Sequence, residues 1–153
     1  MRAMRTAIHV FVLSAAVLLL VGCASTRQFV PMPDQSKRIE DPSKGRIYLM
    51  RPATIGFAVS MNVTDEGKII GCTGPRGYLC WERPPGETRI TSATESVSTV
   101  PLTVQAGGAY YIFQHLRMGL MIAGNQLEFV DEEEGQRVLK RCKPAKVNLQ
   151  GKP

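Results

Sequence analysis

From residue 47 to residue 130 the sequence alternates apolar and polar residues with a period of two, and turn-forming residues interrupt this alternation every few positions. A period of two places successive side chains on opposite faces of a β-strand, whereas a helix needs a period near 3.6. Fourteen glycines and ten prolines supply many turns. The pattern therefore predicts a mainly β domain, a β-sandwich of about eight short strands.

The predicted strands are bounded by recognisable turn signals. Pro52 ends the first strand, and the turn Asp65–Gly67 joins the second and third strands as a hairpin. Pro101 predicts that the sixth strand lies at a sheet edge, because proline cannot donate to a neighbouring strand. In chain order the strands are expected at residues 47–50, 57–64, 68–71, 78–82, 88–92, 97–104, 109–117 and 127–130.

Near residue 131 the pattern changes to that of a helix. Asp131 is a typical N-cap, Glu134 stands where a capping box needs it, and acidic residues favour the positive helix end. Gly135 disfavours the helix. One face of this C-terminal helix is predicted to carry Val138, Leu139 and Cys142.

Residues 1–22 have the order of a bacterial secretory signal peptide. Met1–Arg5 is positively charged, and Ala7–Val21 is an apolar run of about 15 residues, short of the roughly 20 that span a bilayer. The alternative is an uncleaved anchor helix. Removal of Arg2 and Arg5 lowers the formal net charge from +6 to +4, and the remaining basic residues are scattered, so nucleic-acid binding is not expected.

Leu20–Cys23, with the sequence Leu-Val-Gly-Cys, resembles the lipobox of bacterial lipoproteins. The resemblance implies that the Cys23 thiol carries a palmitate-type diacylglycerol and that cleavage before it exposes an amine for a third acyl chain. Two or more chains anchor a protein stably. Ala24 and Ser25 follow instead of Asp, which implies delivery to the outer membrane, facing the periplasm.

The predicted domains divide the rest of the chain into three parts. Residues 23–45 are polar and proline-containing and are predicted to be a lipidated cysteine followed by a flexible tether, whose basic residues would also suit anionic headgroups. Residues 46–143 form the predicted β-sandwich with its helix. Residues 144–153 are predicted to be a frayed tail.

Six short motifs occur in order along this domain: Arg46–Pro52, Asp65–Gly71, Gly77-Tyr78, Pro84–Glu87, Ala106–Tyr111 and Leu127–Asp131. Together they resemble the bacterial lipoprotein family of the domain of unknown function 2846. The hairpin and the Pro-Gly-Glu segment are also similar to envelope modules with an immunoglobulin- or transthyretin-like β-sandwich. The resemblance implies a β-sandwich lipoprotein and brings no catalytic activity.

Three cysteines remain for an envelope compartment that permits disulfides. The resemblance to the lipoprotein family implies a Cys80–Cys142 disulfide with Cys72 left over. A local Cys72–Cys80 bridge, three unpaired thiols, and a Cys72 bridge between two copies are the alternatives. The sequence has no CxxC motif, so an oxidoreductase is not expected.

The sequence offers little catalytic chemistry. After the leader His115 is the only histidine, and its expected role is a satisfied sheet residue rather than a general base. Glu132–Glu134 is predicted to be a solvated helix cap rather than a carboxylate pair. No metalloprotease, nucleophile-elbow or phosphate-loop motif occurs. We therefore expect a non-enzymatic protein with no cofactor and no metal.

Two features are candidate contacts with a ligand or partner. Trp81 with Tyr78, and Tyr110 with Tyr111, could form an aromatic platform for sugar or peptide, although a core role is the expected one for Trp81. The apolar segment 119–124 could fill the sandwich or contact a partner or lipid. The candidate contact residues are Trp81, Tyr110, Tyr111, His115, Met118 and Met121.

These observations predict a membrane-anchored, periplasm-facing lipoprotein that acts as a binding or structural module of the cell envelope. Its expected partner is an envelope protein or glycan. The alternative is an accessory subunit of a larger envelope assembly, such as secretion, efflux or surface machinery, docked through edge strands or through segment 119–124.

Overall fold

The structure is a computed structural model and describes residues 24–118 and 123–150. Within these residues the chain forms strands in two sheets and a single helix. The prediction of a mainly β domain with a helix near its end is confirmed. The predicted leader, Cys23 and Met121 lie outside the described residues. No helix in the described part of the chain is long and apolar enough to cross a membrane.

The first sheet contains six strands of the described chain. They are β1 (Arg27–Gln28), β3 (Met61–Asp65), β4 (Lys68–Thr73), β6 (Gly86–Ala93), β7 (Val97–Val104) and β11 (Lys146–Val147). Their order across the sheet is β11-β1-β4-β3-β6-β7. β7 lies at an edge, as Pro101 predicts.

The second sheet contains the other five strands, of which four precede the helix and one follows it. The strands are β2 (Gly45–Arg51), β5 (Gly77–Arg83), β8 (Ala109–Met118), β9 (Ala123–Val130) and β10 (Lys143–Pro144), and the helix is α1 (Glu132–Leu139). Their order is β10-β5-β2-β8-β9. β2 therefore lies at the centre, antiparallel to β5 and parallel to β8.

β2 is buried on both faces. Ile47 and Leu49 belong to the main core, whereas Tyr48 and Met50 belong to a second cluster on the opposite face. The second cluster exists because α1 and the residues after it cover that face. Alternate side chains of β2 therefore pack into two different apolar clusters, one on each face of the sheet.

The predicted N-cap of α1 is confirmed. The Asp131 carboxylate accepts a hydrogen bond from the Glu134 N–H at 2.8 Å. The Glu134 carboxylate pairs with Arg137 at 2.9 Å. The predicted apolar face is confirmed, because Val138, Leu139 and Cys142 pack against the second cluster.

The predicted strand at residues 57–64 is shorter in the structure and begins at Met61. The fully buried Arg51 explains the difference, because its guanidinium donates to the carbonyl oxygens of Gly56 at 2.8 Å and Val59 at 2.5 Å. These bonds hold residues 52–60 as a folded loop. Gly56 has a φ of 71°, a conformation that ends the extended chain.

The prediction of a flexible tether at residues 23–45 is wrong for its described part, 24–45. β1 pairs with β4 and β11 in the first sheet. The fully buried Gln28 binds the backbone of Cys80, and Val30 belongs to the main core. Many polar residues of the segment are exposed, and others make hydrogen bonds that hold it on the domain.

The predicted frayed tail also belongs to the domain up to Gln150. Lys143–Pro144 pairs with β5, and Lys146–Val147 pairs with β1. Ala145, between these two short strands, is buried in the main core. The folded unit therefore extends beyond the predicted boundaries 46–143 at both ends.

Candidate functional site

A cleft of about 930 Å³ opens at the side of the sandwich, where residues 30–42 cross from one sheet to the other. We call it the side cleft. Residues from the crossing segment, β3, β4 and β5 line it. They include Pro31, Pro33, Asp65, Ile70, Trp81 and Arg83.

Asp65 anchors the wall of the cleft. Its carboxylate accepts hydrogen bonds from Trp81 Nε1 at 2.8 Å, from the Arg83 guanidinium and from the Thr88 hydroxyl. Asp65 is 8% exposed. A carboxylate held by three donors orients the surrounding side chains and so fixes this wall of the cleft.

Glu82 and Arg46 form a buried ion pair next to the cleft, with Nη2 and Oε1 2.8 Å apart. Glu82 also accepts from the backbone N–H groups of Glu40 at 2.6 Å and Asp41 at 3.0 Å. Burial opposes ionisation of Glu82, but these donors outweigh it and its pKa lies below the ordinary value. Arg46 donates to the Lys37 carbonyl oxygen at 2.7 Å, so the pair fixes the crossing segment to β2 and β5.

The other carboxylates of the cleft are also engaged. Hydrogen bonds from Ser43 and Lys44 lower the pKa of Asp41 to about 2. Glu40 accepts from the Asp34 N–H at 2.7 Å. Among the described residues lining the cleft, Lys68 is a cation without an ion-pair partner. The cleft therefore presents the exposed Lys68 ammonium group beside the exposed Glu40 and Glu66 carboxylates.

The strands that border the cleft have open edges there. β4 pairs with β1 only at Gly71 and Cys72, and β5 pairs with β10 only at Gly77 and Tyr78. In the described chain, residues 68–69 and 81–83 therefore have a strand neighbour on one side alone, whereas the Ile70 carbonyl oxygen accepts from the Phe29 N–H at 2.8 Å. Open edges of this kind can accept an extended peptide by backbone hydrogen bonding.

The predicted aromatic platform is not formed. Trp81 and Tyr110 pack in the main core, whereas Tyr78 and Tyr111 lie in the second cluster on the opposite face of the sheet. Trp81 is 3% exposed, and Tyr111 stacks on Tyr48 with ring centroids 5.1 Å apart. Neighbouring strand residues point to opposite faces, so adjacent aromatic residues cannot share a surface.

His115 lies on β8, away from the cleft. Its Nε2 is 3.1 Å from Glu128 Oε2, and its ring meets Phe113 edge-on at 6.0 Å. Met118 ends the same strand. In the described part of the chain, no group of three or more His, Cys, Asp and Glu side chains could hold a metal ion.

The predicted Cys80–Cys142 disulfide is not formed in the structure, where Cys72, Cys80 and Cys142 are free thiols. Cys80 is buried, which raises its pKa to about 11. Cys142 packs against the same second cluster as Cys80. Backbone pairing of Lys143 with Gly77 makes the link between the C-terminal segment and β5 instead.

Sequence reasoning missed the three polar residues that shape the cleft: Arg46, Asp65 and Glu82. Arg46 and Glu82 face each other in the register of β2 and β5. Their opposite charges would have been a signal once that pairing was known. The sequence pattern assigns Asp65 to a turn, although β3 extends to it.

Comparison with known proteins identifies a relative of this chain. No protein-family model and no solved structure matches it. An uncharacterized protein of Haemophilus influenzae strain Rd is 30% identical over 136 residues, which cover 84% of this chain and 79% of the relative. Identity at that level over most of both sequences shows common descent, and the chain belongs to the same family as this Haemophilus influenzae protein.

Proposed function

We propose that this chain is an outer-membrane lipoprotein facing the periplasm, anchored by lipid on Cys23, and that it acts as a non-enzymatic binding module. The order of charged segment, apolar segment and Leu-Val-Gly-Cys supports the anchor. The proposal includes membership of the lipoprotein family of the domain of unknown function 2846 and an immunoglobulin- or transthyretin-like β-sandwich. Two sheets packed around a common core support that fold.

The side cleft is the proposed binding site, and its occupant is an extended segment of another envelope protein. The open edges of β4 and β5 on the cleft carry this proposal, because a strand added there would gain backbone hydrogen bonds. Prolines along the rim keep the crossing segment stiff, which lowers the entropy lost on binding.

The state of the carboxylates supports binding rather than catalysis. Asp65 and Glu82 are saturated by donors, and their positions serve the fold. A glycosidase needs two opposed carboxylates of different protonation state, and a nucleophile needs a neighbouring base. His115 has Glu128 as its partner and stands apart from the cleft.

The anchor is tested by replacing Cys23→Ser in the full chain, with Cys72→Ser as the matched control. The Cys23 variant is expected to accumulate as a precursor without the diacylglyceryl mass. The control is expected to carry it in the membrane fraction. An intact lipid mass on the Cys23→Ser protein would disprove the anchor.

The partner is tested by photocrosslinking in cells from position 68, which lines the cleft, with position 140 on the exposed end of the helix region as control. Trp81 is unsuitable because its replacement would damage the core. A protein captured at position 68 and absent at 140 is the expected result. Capture of glycan alone would replace the protein partner with a cell-wall ligand, and equal capture at both positions would remove the cleft as the site.

A further inference from the structure

The first described residue is fixed to the domain. The Ala24 N–H donates to the Phe57 carbonyl oxygen at 2.8 Å. Cys23 is joined to Ala24 by one peptide bond. The point at which a lipid would leave the domain therefore lies beside the loop of residues 52–60.

Three glycines allow residues 24–28, which follow Cys23, to pack closely against the domain. A Cβ built on Gly71, Gly74 or Gly77 would come far inside van der Waals contact with residues of segment 24–28, namely Arg27, Ala24 and Thr26. The Thr26 hydroxyl also accepts from the Gly74 N–H at 2.9 Å. Residues 24–28 therefore pack closely on these glycines, and no flexible linker separates Cys23 from the domain.

The loop beside this point exposes large apolar side chains. Ile55 is 61% exposed and Phe57 is 55% exposed. The buried Arg51 holds the loop through the carbonyl oxygens of Ile55, Gly56 and Val59. The two apolar side chains are therefore presented on a rigid support, at the end of the sandwich where Ala24 lies.

The same end carries more basic than acidic residues, and Glu95 in the turn between β6 and β7 is an acidic residue there. Residues 24–33, 51–64, 67–81 and 135–150 contain neither Asp nor Glu. The Arg76 N–H donates to the Ala53 carbonyl oxygen in the exposed loop, and the Lys146 N–H donates to the Thr26 carbonyl oxygen. The exposed cations on these segments include Arg27, Arg76, Lys143 and Lys146.

We infer that this end of the domain docks directly on the bilayer that receives the Cys23 lipid, with Ile55 and Phe57 entering the interface and the surrounding cations meeting anionic headgroups. The inference rests on the proposed lipidation of Cys23. Apolar insertion and charge attraction each add to membrane affinity and here act on one face. The lipid then holds the domain in a fixed orientation, with α1 and the side cleft placed relative to the membrane.

The test uses the full chain, purified with its lipid and placed in phosphatidylcholine/phosphatidylglycerol vesicles that contain brominated acyl chains. Phe57→Trp reports the proposed face, and Phe129→Trp, an exposed aromatic position on β9, is the control. Trp81 is buried and common to both variants. We expect bromine to quench the emission of the tryptophan introduced at position 57 and to leave that of the tryptophan at position 129 unchanged.

Three outcomes are decisive. Equal quenching of both variants, or none at position 57, in protein whose mass shows lipid on Cys23 would overturn the docking and leave the lipoprotein proposal standing. Absence of lipid on Cys23 would overturn both. Quenching at position 57 alone supports the docking.

The electrostatic part is tested separately in the lipidated Phe57→Trp protein. Arg76→Glu with Lys146→Glu is expected to lower the ratio of docked to undocked protein on anionic vesicles by roughly 10-fold or more. The same variant on pure phosphatidylcholine is the control, where the change should be small. An unchanged ratio on anionic vesicles would contradict the role of the cations.

Discussion

The Gln28 side chain bonds the backbone of Cys80 in the way that the backbone of a neighbouring strand normally would. Its side-chain Oε1 accepts from the Cys80 N–H at 2.9 Å, and its Nε2 donates to the Cys80 carbonyl oxygen at 2.7 Å. The Gln28 side chain thus satisfies both the N–H and the carbonyl group of Cys80 in the core, where an unsatisfied backbone group is costly. A single glutamine thereby joins the two sheets below the side cleft.

Gly77 tests whether the segment after Cys23 is seated as described. Gly77→Ala places a methyl group against Thr26, so we expect destabilisation by about 1–3 kcal/mol, the usual cost of overpacking. Urea unfolding of the full chain measures it. Thr26→Gly in the same chain should recover part of the loss. Equal effects of Gly77→Ala in both backgrounds would show that Thr26 is not the obstacle.

The thiols are expected to differ in reactivity. Cys80 is buried and has a pKa of about 11, so iodoacetamide at pH 8 should leave it unmodified in the folded protein and modify it after unfolding. Cys72 is only partly buried and should react first. Mass spectrometry of the labelled peptides measures both. A Cys80–Cys142 bridge in oxidised protein would instead restore the pairing that the family resemblance implies.

At the scale of elements, α1 shows how far local sequence reasoning can go. The N-cap and the apolar face could be predicted because both depend on residues close in the chain. The role of Gly135 could not, because it depends on Tyr111: a Cβ there would collide with the tyrosine ring. The residue that disfavours the helix by propensity is what lets the helix approach the sheet.

Gly135→Ala separates these two effects. Propensity alone would stabilise a helix by about 1 kcal/mol. We expect a net loss of about 1–3 kcal/mol, because the methyl group would push α1 away from Tyr111. Thermal or urea unfolding measures the sign. Arg137→Ala on the exposed face is the control and should change stability by less than about 0.5 kcal/mol.

The crossing segment and the side cleft could not be predicted for a related reason. Proline and polar residues between 30 and 44 have the composition of a linker. Their order comes from partners distant in the chain, such as the Arg38–Glu132 ion pair at 2.8 Å and the bonds to Glu82. Strand alternation was readable from the sequence, whereas these long-range pairs needed the sheet register.

For the whole molecule, Glu82 joins the crossing segment to the second sheet and should make stability depend on pH. Its pKa is lower in the folded protein than the ordinary value of 4.5, so the unfolded chain binds more protons below that pH. The contribution of Glu82 is therefore present above about pH 4.5 and is lost as the pH falls through the lower, folded value.

Glu82→Gln should destabilise the protein at pH 7 by about 3 kcal/mol, because it leaves the buried Arg46 without its carboxylate. The loss of stability between pH 5 and pH 3 should then be shallower than in the parent chain. Unfolding free energies across that range measure both. Glu87→Gln, at an exposed position, is the control, and a parallel pH curve for Glu82→Gln would contradict the assignment.

β1 pairs in parallel with β11, so Arg27 lies opposite Lys146. The first sheet is therefore completed only by residues that the ribosome adds long after β1 itself. Until they arrive, the edge of β1 is open and the sheet is incomplete. Such distant pairing slows folding. A chain that stops before residue 146 would display an unfinished strand edge, a form suited to recognition by proteases that remove incomplete proteins.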